Sequence, residues 1–405
     1  MFWDLYIKLS YLVIGIQILF LIQSIRNYNY AINKTRKDRN CFRPKTLLTV
    51  PCKGIDKDFD RNIRAFIELD YRDYTLHFVV QAADDPAYER LNRIIAANAQ
   101  NSQAKNIRVL IAGIASGCSQ KIHNLLYSCA NAPEDTEVLA FADSDAYMTP
   151  AWLNNLVHPL RFEKYGASSG YRWFVPLKNN LATMALSSVN AKVAQFLGNS
   201  HFNQAWGGSM AITTKLFDEI QLDKAWAGAL SDDLCLSYMV KRSGKKVVFV
   251  PGCLVASYEV MTWPQVFEFG RRQFLITRIA TPGTWWFGLL STIVSLLGSW
   301  GALFLLIGLI IADHPLHWVY FVLPAVFFSC QSIRAWLRQK MIVKLLPNDA
   351  ENMKKSAVAD IAGSCLWSWL LLGCIISSAC GRKITWRGIT YKLISPTKTE
   401  IIKPG

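Results

Sequence analysis

Paired cysteines, an acidic excess and a nucleic-acid signature are all missing from this chain. Its ten cysteines are scattered, and no two stand in a Cys-x-x-Cys spacing. Neither a zinc site nor a disulfide framework is implied. Cys330, Cys365 and Cys374 lie in apolar runs, as reduced, buried thiols of a cytosol-facing protein do. Acidic residues are scarce: 29 Asp and Glu face 44 Lys and Arg, a net charge of +15. Such a balance points to phosphate-bearing ligands or an anionic membrane surface. No zinc-finger, RRM-like or helix-turn-helix pattern accompanies it, so nucleic acid is not an expected partner. Internal repeats are absent too. Charge itself vanishes from residues 284–312, a stretch of 29 positions, which leaves no polar face for a soluble helix.

The 405 residues are 52% hydrophobic and include 14 Trp. Residues 9–25 form a nearly uncharged run about long enough to span a bilayer. Arg26, Lys34, Arg36, Lys37, Arg39, Arg43 and Lys45 follow it. Positive charge after the run, with no small-residue cleavage site, argues for an anchor over a signal peptide. It also puts that flank in the cytoplasm. Beyond 284–312, apolar runs recur at 316–333 and 361–380, separated by a basic loop at 334–355. Several Trp near segment ends suit an interfacial belt. Four full spans would put the carboxyl tail outside, against its Arg382, Lys383, Arg387 and Lys392; either one segment is re-entrant or interfacial or the tail breaks the rule, so two or three carboxyl-terminal membrane helices are expected. The expected organisation is an anchor and basic flank at 1–44, a cytosolic catalytic domain at 45–270, membrane segments at 271–383 and a tail at 384–405.

Between 45 and 270, apolar runs alternate with helical spacing. Strands are expected at 46–50, 74–82, 107–112 and 137–142, with helices at 58–69, 86–99 and 121–129. That alternation argues an α/β fold, a doubly wound and mainly parallel sheet. The central stretch is Leu139-Ala-Phe-Ala-Asp-Ser-Asp145. A short apolar run reads as a buried parallel strand. Carboxylates at i and i+2 past its end sit where open α/β sheets bind ligands. Such a pair suits Mg²⁺ or Mn²⁺ bridging a diphosphate; a solvated Asp-rich turn is the competing reading.

Other residues join that pair. Asp84 and Asp85 close the second strand, and Asp232 and Asp233 follow in Ala229-Leu-Ser-Asp-Asp-Leu234. Three acidic pairs on one α/β layer would converge on one crevice. Either Asp84 or Asp85 is also a helix N-cap before Pro86. Lys53 and Gly54 could approach a phosphate after strand one, and Lys121 could pair with it from a helix. Trp206-Gly207-Gly208 combines an aromatic with a permissive turn, an arrangement found both in sugar stacking and in turns against a core. Arg271, Arg272 and Arg278 stand before the long apolar run and could clamp a diphosphate, or merely flank the membrane.

These stretches together resemble the ceramide glucosyltransferases, membrane relatives of the family 2 processive-type inverting glycosyltransferases. The resemblance is carried by VPCKGID, FIELDYRDY, VVQAADDPA, SGCSQKIHNL, FADSDAYMTPAWL, WGGSMAI, LSDDLCLSYMVKRSGKKVVFVP and ITWRGITYKL. It implies transfer of a sugar, expected to be glucose from UDP-glucose, to the hydroxyl of a membrane lipid such as ceramide, with a divalent metal. Asp84 or Asp85 would contact the nucleotide, Asp143 with Asp145 the metal and diphosphate, and Asp233 would be the general base. Lys53 and Lys121 join the donor side; Trp206, Gly207 and Asp232 join the acceptor and diphosphate side. The family's last motif, (Q/R)xxRW, has Gly270-Arg-Arg-Gln-Phe274 in its place. Arg271 or Arg272, beside Gln273, would supply the displaced charge. A processive polysaccharide synthase and an inactive membrane scaffold are the rival readings.

Overall fold

Seven strands in the order β3-β2-β1-β4-β6-β5-β7 form the central sheet. The computed structural model describes residues 2–35, 42–386 and 388–403. Arg36, Lys37 and Arg39 of the basic flank, Cys41 and Arg387 lie outside them. After the first helix, α1 (Phe2–Thr35), come β1 (Thr46–Pro51), α2 (Phe59–Ile67), β2 (Tyr74–Val80) and α3 (Pro86–Asn98). Next are β3 (Asn106–Ile111), α4 (Gln120–Ala130), β4 (Val138–Ala142) and α5 (Trp152–Val157). The second half has β5 (Tyr165–Pro176), α6 (Leu181–Ala194), β6 (Ser209–Thr213), α7 (Thr214–Glu219) and α8 (Leu222–Trp226). It closes with α9 (Asp232–Arg242) and β7 (Lys246–Glu259).

Every residue of β2 and β4 is buried, as expected of strands covered on both faces. On one side Phe59, Ile63, Phe66, Leu91, Trp152 and Leu156 pack on the sheet. On the other Ile122, Leu125, Phe217, Trp226 and Leu236 do so. β3, β2, β1 and β4 run parallel, whereas β6 is antiparallel to both β4 and β5. The reversal matters for the site. A parallel strand delivers its end to the ligand edge; β6 delivers its start. Ser209 pairs with Ala142, so Trp206 and Gly207 arrive beside Asp143. The parallel β5–β7 ladder shifts register between Ser169 and Tyr171. A Cβ on Gly170 there would lie 2.0 Å from the Cys253 carbonyl oxygen.

Beyond the sheet, α10 (Trp263–Ala280) leads into α11 (Pro282–Leu296), which passes through a π turn at Leu297–Gly301 into α12 (Ala302–Ile311). Then come α13 (Val319–Leu345), α14 (Ala350–Ala362) and α15 (Trp367–Ser377). Among the described residues three helices are long and apolar enough to cross a membrane: α1, the α11–α12 unit and α13. The run at 361–380 is not a straight span, because the α14 and α15 segments meet at 85°. A small antiparallel sheet ends the chain, β8 (Lys383–Trp386), β9 (Ile389–Ser395) and β10 (Lys398–Lys403). Its Ile384, Tyr391 and Leu393 bury against Leu275 of α10 and Leu230 of the loop before α9. The tail therefore lies on the same side as the central sheet. A chain that returns to the side it left crosses an even number of times. Of the open alternatives this fits two spans between sheet and tail, the α11–α12 unit and α13, with the bent pair α14–α15 not crossing. All nine described cysteines are free.

Where α6, α13 and α14 meet, charge is buried. Arg338 grips Asp360 with two hydrogen bonds, the Nε one at 2.7 Å. Their side chains are only 2% and 1% exposed. Gln339 donates to Asp360 at 2.8 Å, and Arg338 donates to Gln195 at 2.8 Å. Lys192 of α6 donates to the Ser364 carbonyl at 2.6 Å and to Ser368 Oγ at 2.9 Å, at the helix bend. Removing one member of a buried pair strands its partner's charge, whereas apolar replacement of both removes the penalty. Asp360→Leu should cost about 3–5 kcal/mol. The double substitution Arg338→Met/Asp360→Leu should regain most of that, read as thermal melting of the detergent-solubilised protein.

Candidate active site

The first wall of the crevice is the loop after β1. Gly54 takes a positive φ of +67°, and its N–H donates to Asp85 Oδ1 at 2.9 Å. The same oxygen accepts from Ala87 N at 2.9 Å. Asp85 thus caps α3, with Pro86 in the first turn, and ties two loops together. Asp84 is left exposed, as is Lys53.

Past β4, Asp143 meets the first turn of α4. Lys121 Nζ lies 2.6 Å from Asp143 Oδ1 and 3.0 Å from Asp232 Oδ2. Ser119 Oγ caps α4 through Ile122 N, and Asn124 donates to the Val79 carbonyl at 3.3 Å. These bonds fix the helix whose first turn carries the ammonium. Asp232 and Asp233 open α9 under the cap of Ser231. The Trp226 indole N–H donates to the Asp232 carbonyl at 3.0 Å. Asp233 Oδ2 accepts from Gly207 N at 3.0 Å. Its Oδ1 accepts from Leu234 N at 2.7 Å and from the Ser231 hydroxyl. Gly207 has no room for a side chain: a Cβ would lie 2.4 Å from Asp232 Oδ2 and 2.7 Å from Lys121 Nζ.

The electrostatics follow from one ammonium among several carboxylates. Burial works against the charge on Lys121, but Asp143 and Asp232 outweigh it and hold the ammonium charged well above the usual lysine range. Asp232, 5% exposed, is pushed up to about 6 by burial, with Asp233 and Asp143 adding to the effect and Lys121 opposing it. Asp145 opens onto the crevice yet is crowded by protein. That crowding and the charge of Asp143 push it up to about 6, against the pull of Arg172.

The remaining expected residues are spread more widely. Trp206 is only 9% exposed, packs edge-on to Tyr171 and donates its backbone N–H to Ser169 Oγ at 2.8 Å. Its ring is part of the core. Arg271 donates to the carbonyls of Ser377 at 3.0 Å and Cys380 at 3.4 Å, and Arg278 to those of Ala379 and Gly381. Both close the end of α15, where orphan carbonyls welcome cations. Arg272 lies 5.6 Å from the Phe269 ring, and the Gln273 carbonyl accepts from Thr277 Oγ1 at 2.8 Å. The guanidinium whose charge acts on Asp145 is that of Arg172 of β5. A lone charge inside the run Gly170-Tyr-Arg-Trp-Phe-Val-Pro176 was the sequence signal for it.

Two carboxylates do not complete the coordination of a divalent cation. Among the described residues no group of three His, Cys, Asp or Glu side chains is placed to do so. Asp143 and Asp145 fit Mg²⁺ or Mn²⁺ provided that a bound diphosphate and water supply the other oxygens. The mutual repulsion that raises Asp145 is what such a cation would relieve.

Two outcomes follow. Gly207→Ala should displace the Lys121–Asp232 pair, lower turnover about 100-fold and lower the melting temperature as well, read by activity and thermal melting in parallel. Asp145 and Asp232 titrate near pH 6 in the folded chain, above the ~3.9 of an unfolded Asp. The folded state then holds more protons between about pH 4 and 6, and stability falls as pH rises through that window. Asp145→Asn should melt above the parent at pH 7.5 and level with it near pH 4.

A model of glycosyl transferase family 21 matches residues 11–399. Among solved structures, a mannosyltransferase from Pyrobaculum calidifontis in complex with GDP-Man and Mn²⁺ is similar at 13% identity and a TM-score of 0.46, covering 92% of this chain and 97% of that one. A glucosyl-3-phosphoglycerate synthase from Mycobacterium tuberculosis in complex with phosphoglyceric acid is similar at 14% identity and a TM-score of 0.36, covering 57% of this chain and 78% of that one. The match of the family model over nearly all of its length means that this chain belongs to glycosyl transferase family 21.

Proposed function

We propose that the protein is an inverting transferase that moves glucose from UDP-glucose to the hydroxyl of a membrane lipid, ceramide or a close relative. The observation that carries this reading is the single cluster of Asp143, Lys121, Asp232 and Asp233. It gathers residues from three separate loops at the ligand edge of the sheet. The sugar and the lipid rest on the resemblance to ceramide glucosyltransferases and on the spans that hold the sheet at a bilayer. By the charge of its flanks the sheet faces the cytoplasm.

In this mechanism Asp233 Oδ2 accepts the proton of the acceptor hydroxyl as its oxygen attacks the anomeric carbon. A C–O bond forms there while the bond to the donor diphosphate breaks, and the diphosphate leaves with the electron pair. One displacement inverts the anomeric centre, so an α-linked donor gives a β-glycoside. The N–H of Gly207 and the cap of Ser231 orient the base. Lys121 brings positive charge to the diphosphate side. Asp143 and Asp145 would hold the divalent cation, which supplies charge neutralisation to the leaving group. Asp84 is the carboxylate open to the nucleotide, since Asp85 is engaged by two backbone N–H groups.

Asp233→Asn should lower transfer by about 10²–10⁴-fold while nucleoside diphosphate affinity stays within about 2-fold, inside measurement scatter. The check is a screen of labelled nucleotide sugars on purified membranes, with mass spectrometry of extracted lipids. Turnover retained by the variant removes Asp233 as the base. A polymeric product would favour the processive reading.

A further inference from the structure

Arg172 is a guanidinium in an aromatic box. Its centre lies 4.7 Å from the Phe174 ring, 5.3 Å from the Phe269 ring and 6.0 Å from the Trp206 ring. The three rings come from β5, α10 and the turn before β6. Aromatic faces hold the flat faces of a guanidinium but do not satisfy its in-plane N–H groups. Arg172 is half-buried. Among the described residues it makes no ion pair within 4.0 Å and no hydrogen bond. Five donors are therefore fixed in direction and uncommitted. Arg271 and Arg278 of α10 differ in this respect, since each donates to two backbone carbonyls at the end of α15.

The position of the box gives those donors a target. Trp206 immediately precedes Gly207, whose N–H holds Asp233. Asp145 and Glu259 are the carboxylates that feel the charge of Arg172. The ring beside Arg172 therefore belongs to the turn whose next residue, Gly207, abuts Asp232 and Lys121. A diphosphate held at Lys121 and Asp143 would lie beside the Trp206-Gly207 turn, and so within reach of the box.

We propose that Arg172 binds the β-phosphate of the nucleoside diphosphate through its in-plane N–H groups, and that it supplies the charge for which Gly270–Phe274 lacks the usual Arg-Trp pair. This rests on the reading of the crevice as a nucleotide-sugar site. A planar fork is suited to bidentate phosphate contact, and a lysine in its place keeps the charge but not the fork. The aromatic box lowers the entropy cost of that contact, because the side chain is already held before the ligand arrives.

The test is binding to the full-length protein in detergent with Mn²⁺, by calorimetry, using UDP and UMP and also GDP and GMP as probes. Loss of a charged hydrogen-bonding partner should weaken diphosphate binding about 10- to 100-fold in Arg172→Gln, with monophosphate binding unchanged within about 2-fold, the scatter of such comparisons. Arg172→Lys should recover part of the loss, and thermal melting confirms that both variants fold. Unchanged diphosphate affinity in Arg172→Gln overturns the assignment, including the case in which only the KM for the lipid acceptor rises. An equal loss for mono- and diphosphate also overturns it, since the β-phosphate would not be the group recognised. A parent protein that binds none of the four nucleotides removes the nucleotide-sugar reading itself, and the role of Arg172 falls with it.

Discussion

Lys121 lies between Asp143 and Asp232, and those two contacts join parts of the chain that local structure would leave apart. Asp143 belongs to the end of β4, Asp232 to the start of α9 and Lys121 to the first turn of α4. One ammonium cannot neutralise every carboxylate around it. Burial, with the surplus of negative charge adding to it, lifts both Asp145 and Asp232 to about 6. A crevice in that condition favours cations and then the anions that cations carry. The backbone accommodates the cluster only because Gly207 has no side chain to place where Asp232 and Lys121 approach.

The membrane part is built around the same requirement for rigidity. The tail sheet places Tyr391 and Leu393 against α10 and against Leu230, one residue before the Ser231 cap. The turn between β9 and β10 lies over Gly228, where a Cβ would come within 2.6 Å of the Thr397 carbonyl oxygen. The loop that carries Asp232 and Asp233 is thus braced by the last strands of the chain. On the far side of α6, Lys192 and the Arg338–Asp360 pair join the sheet's helices to the bent pair α14–α15.

Much of the fold was legible because it is local. The apolar runs of β1, β2 and β4, the helical spacing between them and the uncharged 284–312 stretch each depend on residues close in sequence. Strand boundaries moved by only a few residues: the run read as 74–82 ends at Val80. The 361–380 run was apolar enough to read as a span, but hydropathy carries no information on direction. The 85° turn between α14 and α15 depends on what Lys192 and Gln331 touch.

By itself the sequence determined the α/β alternation, the acidic pairs at strand ends and the apolar spans, because each is a matter of periodicity and composition. Which acid does what was decided by the tertiary structure. Asp85 is taken up by Gly54 and Ala87 while Asp84 is not, a difference of loop geometry between adjacent identical residues. The reversed direction of β6 sets Gly207 against Asp233, and no local pattern encodes the partner of a strand. Arg271 and Arg172 are both arginines near aromatics in sequence. Only the packing of α15 on α10 and of Phe269 on β5 commits donors of one to carbonyls and holds the other among aromatic rings.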